Sequence, residues 1–310
     1  MNRPVLRTEL CDILGIEYPI MLAGMGVWGM GTPPELVAAV SDAGGLGVLG
    51  GSALSPEEVR RRIQRVRQMT DKPFGVDLLL PASLAKSSTT RTGVREDLSK
   101  NHPEHVKFMH GLLEKFELTQ APVENDIVNS DEYAEAQIQV VLDEEVPIFA
   151  AGLGDPARII PRAREQNMVV IGLAGTVRHA ERNRDAGVDI VVCQGTEGGG
   201  HTGPVATLPL VSQAVEAIAP IPVVAAGGIT GGRSIAAALT LGAIGVWMGT
   251  AFLIAEEGGL PDIVKGDILD GKATDFRISE AWTGKTLRAK KNVISDAWAE
   301  SGLTPLPTPH

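Results

Sequence analysis

The chain has 310 residues, 44 % of them apolar, and a net charge of −10, which is room for one large domain or two ordinary ones. That acidity, with no basic run beyond pairs such as Lys290-Lys291, argues against a nucleic-acid binder, which needs clustered Lys and Arg. Cys11 and Cys193 have neither disulfide nor metal spacing, no apolar run reaches the ~18 residues of a membrane span, and no leader pattern opens the chain. The expectation is therefore a soluble cytoplasmic protein with no metal, membrane or nucleic-acid partner.

Taken in chain order, apolar β-type runs alternate with helical patterns. Residues 19–23 read as a first strand and 33–42 as a helix. A second strand at 46–49 precedes a helix over 55–69, with Ser55 at the N-cap, Pro56 at the first helical position and Glu58 at the capping-box position. Residues 74–80 form strand three. Further strands at 147–150, 168–172, 189–193, 221–226 and 244–248 bring the count to eight, spaced ~20–33 residues apart with a helix between each later pair. All are continuous apolar runs, the mark of parallel strands buried on both faces. Eight such units predict an α/β fold of the (β/α)8 TIM-barrel type in one domain over 1–310, with an open doubly wound sheet as the alternative.

The alternation breaks between 82 and 145. That stretch holds the polar run 86–91, an amphipathic helix over 102–116 and an acidic tail. Its place after strand three, where barrel active sites form, makes it a lid or pocket wall, or else a solvated insertion or homo-oligomer contact. His102, His105 and His110 within it have no fixed acidic partner in sequence, so no metal site is expected.

Chemistry concentrates at the ends of three strands. The sixth runs into Gln194-Gly195-Thr196-Glu197-Gly198-Gly199-Gly200-His201-Thr202-Gly203. The seventh runs into Gly227-Gly228-Ile229 and the eighth into Gly249-Thr250. Glycine lets backbone amides close on an anion, and barrels commonly hold phosphate after strands seven and eight. Gly24-Met25-Gly26, after strand one, adds backbone freedom where a planar ring could lie. No G-x-G-x-x-G follows a strand with an acidic residue ~20 positions on, so a mononucleotide such as FMN fits better than a dinucleotide. His201, behind three glycines, is the one imidazole at this mouth and suits proton transfer near neutral pH. Glu197 either orients it or faces solvent.

With these loops in place, the chain resembles the nitronate monooxygenase family, also called 2-nitropropane dioxygenases, and the related FMN-dependent enoyl reductases. The resemblance rests on 18–25, 43–47, 71–76, 194–203, 225–229 and 248–252, with Trp282-Thr283-Gly284-Lys285 and Arg288 near the end. It implies an FMN-bearing barrel in which Gly24 and Met25 lie along the flavin. Gln194, Gly199 and Gly200 would contact the ring from the strand-six loop. Gly227, Gly228, Gly249 and Thr250 would hold the phosphate, and His201 takes the place of the catalytic histidine. Three positions depart from the pattern. Asp77 stands where relatives usually carry Asn, Trp247 where Gln is common, and Leu22 where the strand-one Gln is found.

The resemblance implies oxidation of nitronates or nitroalkanes with O2. The alternative is an NAD(P)H-dependent FMN reductase of enoyl thioesters or quinones, for which the insertion would make room. A third reading is a phosphate-binding barrel without redox chemistry. Cys193, placed on a strand rather than in a mobile loop, is read as a buried small hydrophobe and not a nucleophile. Similar proteins continue past Pro307-Thr308-Pro309-His310, so a further C-terminal segment is expected.

Overall fold

The computed structural model describes residues 6–26, 30–52, 54–80, 90–119 and 130–307. Eight parallel strands form its central sheet: β1 (Ile20–Leu22), β2 (Gly47–Gly50), β3 (Phe74–Leu80), β4 (Ile148–Gly154), β5 (Val169–Ala174), β6 (Ile190–Gln194), β7 (Val223–Ala226) and β8 (Gly245–Met248). Each pairs with its neighbour in sequence, and β8 pairs with β1. The ring closes between β1 and β2, where Leu46 N–H donates to Ile20 O (3.0 Å) and Leu22 N–H donates to Leu46 O (2.8 Å). Closure leaves no strand edge exposed, which completes the (β/α)8 barrel expected from the eight apolar runs.

Helices return the chain from each strand to the next: α2 (Pro34–Asp42), α3 (Pro56–Met69), α6 (Asp131–Asp143), α7 (Ile160–Glu165), α8 (Val177–Ala186), α9 (Thr207–Ala217) and α10 (Gly232–Thr240). At α3 the sequence signals act as expected, except for half of the capping box. Ser55 accepts from Glu58 N–H at 3.1 Å, but the Glu58 carboxylate turns outward to Arg61 and Arg62, both at 2.7 Å. Strands β4 and β7 start later than their apolar runs because Pro147 and Pro222 have no N–H to give. Their carbonyls still accept, from Val169 and Val191 N–H.

The barrel interior is packed solid. Met21, Val48, Ala150, Ile171, Val192 and Trp247 belong to one buried cluster, and α1 (Glu9–Leu14) adds Leu10, Cys11 and Leu14 to it. A Cβ on Gly245, at the start of β8, would lie 2.3 Å from Leu10 Cδ2, so α1 seals the N-terminal end of the barrel. Trp247 is 5 % exposed and fills interior volume. Directly paired residues in a parallel sheet face the same way. Asp77 pairs with the interior Ala150, and Gln194 with the interior Ala226, so both polar side chains point inward, Asp77 from the middle of β3 and Gln194 from the last residue of β6.

Residues 1–82 and 134–270 form one compact unit, and residues 83–133 with 271–310 form a second. The second contains α4 (Arg91–Asn101), α5 (Pro103–Lys115), an antiparallel hairpin of β9 (Phe276–Ser279) and β10 (Leu287–Lys290), and α13 (Val293–Ser301). Trp298 on α13 packs its ring against Phe108 (5.6 Å between centroids) and His105 (6.1 Å) on α5. His105 Nε2 lies 2.9 Å from Thr304 O, so it is engaged in structure. A cavity of about 680 Å³ in this unit is lined by Arg95, His105, Met109, His110, Trp282 and Trp298 among others. Most of the polar run 86–91, and residues 120–129, lie outside the described residues. No described helix is long and apolar enough to cross a membrane.

Candidate active site

The loop after β1 is held by one buried hydroxyl. Thr32, 1 % exposed, accepts from Met25 N–H (3.3 Å) and from Gly50 N–H (2.7 Å), and its hydroxyl donates to Met25 O (3.2 Å). Three backbone groups thus fix Met25 over the end of β2. Glycines then clear the space around it. A Cβ on Gly50 would fall 2.5 Å from Met25 C, and one on Gly249 would fall 3.2 Å from Met25 Sδ. The strand-one and strand-eight loops are therefore in contact, through positions the sequence singled out at each.

The strand-six loop folds back on its own strand. Gln194 Nε2 donates to His201 O at 2.8 Å, and Thr202 Oγ1 donates to Gly195 O at 3.0 Å. The turn between them closes through Gly198 N–H donating to Gly195 O (3.0 Å). His201 emerges half-buried on a two-residue segment, Gly200–His201, whose first residue, Gly200, has φ 76°. Gln194 thus points inward and also anchors the histidine's backbone. Of the two roles left open for Glu197, facing solvent is the one the structure bears out, and from that exposed position it also caps a helix. Its Oε2 accepts from Thr207 N–H (2.9 Å) and lies 2.8 Å from Thr207 Oγ1, capping the first turn of α9.

Thr207 also ties this loop to the next. Its hydroxyl lies 3.0 Å from Gly227 O, and a Cβ on Gly227 would strike it at 2.7 Å. Gly227 (φ 102°) and Gly228 (φ 69°) occupy the left-handed region that favours glycine, so the turn after β7 is written into those two residues. A Cβ on Gly228 would reach 3.3 Å from Glu197 Cβ, and one on Gly199 would reach 3.0 Å from Thr250 Oγ1. The loops after β6, β7, β8 and β1 form one continuous contact chain at the C-terminal mouth. Thr250 opens the short helix α11 (Thr250–Leu253) there.

Asp77 sits beneath this rim, 4 % exposed, and its Oδ1 has no hydrogen-bond partner among the described residues. Burial pushes its carboxyl well above the usual carboxylate range; the backbone N–H of Gly152 opposes the shift, and no charged neighbour contributes. Glycines wall it in. A Cβ on Gly24 would lie 2.3 Å from Asp77 Cβ, and one on Gly152 would lie 2.4 Å from Oδ1. Cys193, on β6, is buried and its thiol is pushed up to about 12 by desolvation, which makes it inert at neutral pH.

Gly24 therefore meets Asp77, Met25 meets Gly249, Gly199 meets Thr250, and Gln194 holds His201. Thr32, Thr207 and Gly152 escaped the sequence reading. Thr32, in a loop, and Thr207, at the start of α9, are single hydroxyls with no motif of their own, and Gly152 lies two residues past the predicted strand 147–150. The arrangement fits a planar ring carrying a phosphate. It offers an orphaned buried oxygen, glycine-lined backbone on three adjacent loops, and a hydroxyl at a helix start.

Comparison with known proteins agrees. The nitronate monooxygenase family model matches residues 7–309. The probable nitronate monooxygenase of Staphylococcus haemolyticus is 35 % identical over 316 residues, spanning 96 % of this chain and 83 % of the relative. Nitroalkane oxidase from Streptomyces ansochromogenes superposes with a TM-score of 0.80 at 31 % identity, over 96 % of this chain and 83 % of that one. FabK from Thermotoga maritima does so with a TM-score of 0.75 at 32 % identity, over 95 % and 78 %. By fold, by loop geometry and by these matches, the chain belongs to the nitronate monooxygenase family of flavin-dependent oxidoreductases.

Proposed function

We propose that the flavin is FMN and that the enzyme oxidises small alkyl nitronates, or the nitroalkanes they derive from, with O2 as co-substrate. The observation that supports this most is the convergence of the β6, β7 and β8 loops around Thr250, with a single phosphate-type cradle and no dinucleotide fingerprint. A bound flavin supplies the reversible two-electron acceptor. The protein's own residues then have distinct tasks. Backbone N–H groups of Gly227, Gly228 and Gly249, with the Thr250 hydroxyl, hold the phosphate. Gly24, Met25, Asp77, Gln194, Gly199 and Gly200 would contact the ring.

His201 takes the proton from the carbon bearing the nitro group, or, when the nitronate itself is the substrate, holds its oxygens by donating a hydrogen bond. Gln194 keeps this histidine in place through its backbone. The reaction belongs in the cytoplasm on this reading, in line with two free, buried thiols. The two families represented among the similar structures part at the reductant. Purified protein is examined anaerobically by visible absorption, first alone, then with NADH or NADPH, then with a nitronate. Flavin absorption bleached by nitronate and restored by air is the expected result. Bleaching by a nicotinamide instead would transfer the protein to the enoyl-reductase type, and a colourless protein that takes up no FMN would end the reading.

A further inference from the structure

We propose that Asp77 works as a neutral carboxylic acid that donates its hydroxyl hydrogen to a heteroatom on the edge of the bound flavin ring, an inference that rests on the FMN reading above. The first ground is position. Asp77 shares the inward face of the barrel with Ala150, its partner on β4, and with Gly50, its partner at the end of β2. The second is enclosure. Gly24 and Gly152 present bare Cα atoms to the Asp77 side chain, where a Cβ would lie 2.9 Å from Oδ2 and 2.4 Å from Oδ1 respectively. No side chain can approach from those directions, so the protein has excluded its own partners there.

The third ground is the orphaned Oδ1. Buried polar atoms nearly always find a partner, and one left without is a place where a ligand or a water completes the structure. A charged form would need a cation or several donors, and among the described residues the group that favours it is the Gly152 amide. The acid form needs one acceptor, which the nitrogen and carbonyl edge of a flavin offers and an apolar barrel does not. As an acid, Asp77 offers one transferable hydrogen where an amide would offer two fixed ones, without placing a negative charge beside an electron-rich ring.

The test compares wild type with Asp77→Asn, which keeps a donor, and Asp77→Leu, which keeps the branched shape and removes it. Apoprotein of each is titrated with FMN by fluorescence quenching, and infrared difference spectra of wild type against Asp77→Asn are recorded with and without FMN. The inference expects a protonated-acid carbonyl band in wild type that moves to lower frequency when FMN binds. It also expects near-native affinity in Asp77→Asn and about tenfold weaker binding in Asp77→Leu, the worth of one neutral hydrogen bond. A carboxylate band alone, an acid band indifferent to FMN, or full affinity in Asp77→Leu would overturn it while leaving the FMN reading intact. Wild type that binds no FMN would instead bring down the reading and the inference together. Should the Leu variant fail to fold, the infrared comparison decides alone.

Discussion

His201 is the side chain on which turnover should depend while the cofactor does not. Its backbone is pinned by Gln194, so His201→Ala removes the imidazole without loosening the loop. We expect flavin content to stay at the wild-type level and nitronate turnover to fall about 10²–10⁴-fold, the usual worth of a positioned acid or base; unchanged turnover would remove the residue from the mechanism. Gly228 acts through its backbone. At φ 69° a β-branched residue is strained, and its Cβ would press on Glu197, so Gly228→Val should copurify with less FMN per chain. Full occupancy would contradict the phosphate assignment. Asp77 also has a thermodynamic signature. The folded protein keeps a proton on it that the unfolded chain releases near the ordinary carboxylate pKa of about 4. The native state then binds more protons than the unfolded one, so stability falls as pH rises above that value, by up to about 1.4 kcal/mol per pH unit, until the raised pKa of Asp77 is passed. Urea melts of the apoprotein from acid to neutral pH should show this slope in wild type and lose it in Asp77→Asn. Equal slopes would mean Asp77 ionises normally.

At the scale of elements, the loop after β6 is held less by its glycines than by the carboxylate that caps the next helix. Glu197 is exposed at its backbone turn, yet its Oε2 serves both the N–H and the hydroxyl of Thr207. Glu197→Ala should therefore cost about 1 kcal/mol of stability, the loss of one helix cap, and Glu197→Gln clearly less, since the amide oxygen still accepts. Thermal melts of both variants check this, and equal losses would show that packing rather than capping matters. The β2 turn has a similar clamp. Gln137 on α6, 2 % exposed, donates to Gly51 O (3.0 Å) and Leu54 O (2.7 Å) from its one amide nitrogen. Strand identity was readable because continuous runs such as 189–193 are apolar on both faces, as parallel strands must be. These clamps were not. Glu197 is ten residues from Thr207, and Gln137 is more than eighty from Leu54. Polar pairs at such separations have no periodicity to betray them.

For the molecule as a whole, the barrel places both thiols out of reach. Cys193 lies on β6 and Cys11 on the helix that seals the N-terminal end, and both are buried. Native protein should therefore give no reaction with a thiol reagent at neutral pH, and denaturant should release both thiols together with the loss of barrel structure. Reaction of either one well before unfolding would show that α1 or the barrel opens locally. The second compact unit has a different origin. Its helices α4 and α5 come from the interruption after β3, and its hairpin and α13 come from the last forty residues. The cavity of about 680 Å³ draws on both.

Eight apolar runs separated by helical patterns admit few topologies, so the barrel was legible in the order of amino acids alone. That order also marked the mouth, because glycine is required wherever backbone must turn through positive φ or approach a ligand, as at Gly227 and Gly228. What the polar residues there do emerged from the contacts of the folded chain. Glu197 caps a helix, Thr32 fastens the Met25 loop, and Asp77 is enclosed between Gly24 and Gly152 with one oxygen left over. Folding also brought residues 91–115 and 273–306 into one unit. The physical reason is common to all of these. Burial and hydrogen-bond partnership depend on which distant segments meet, and one strand or loop read alone carries no record of its neighbours.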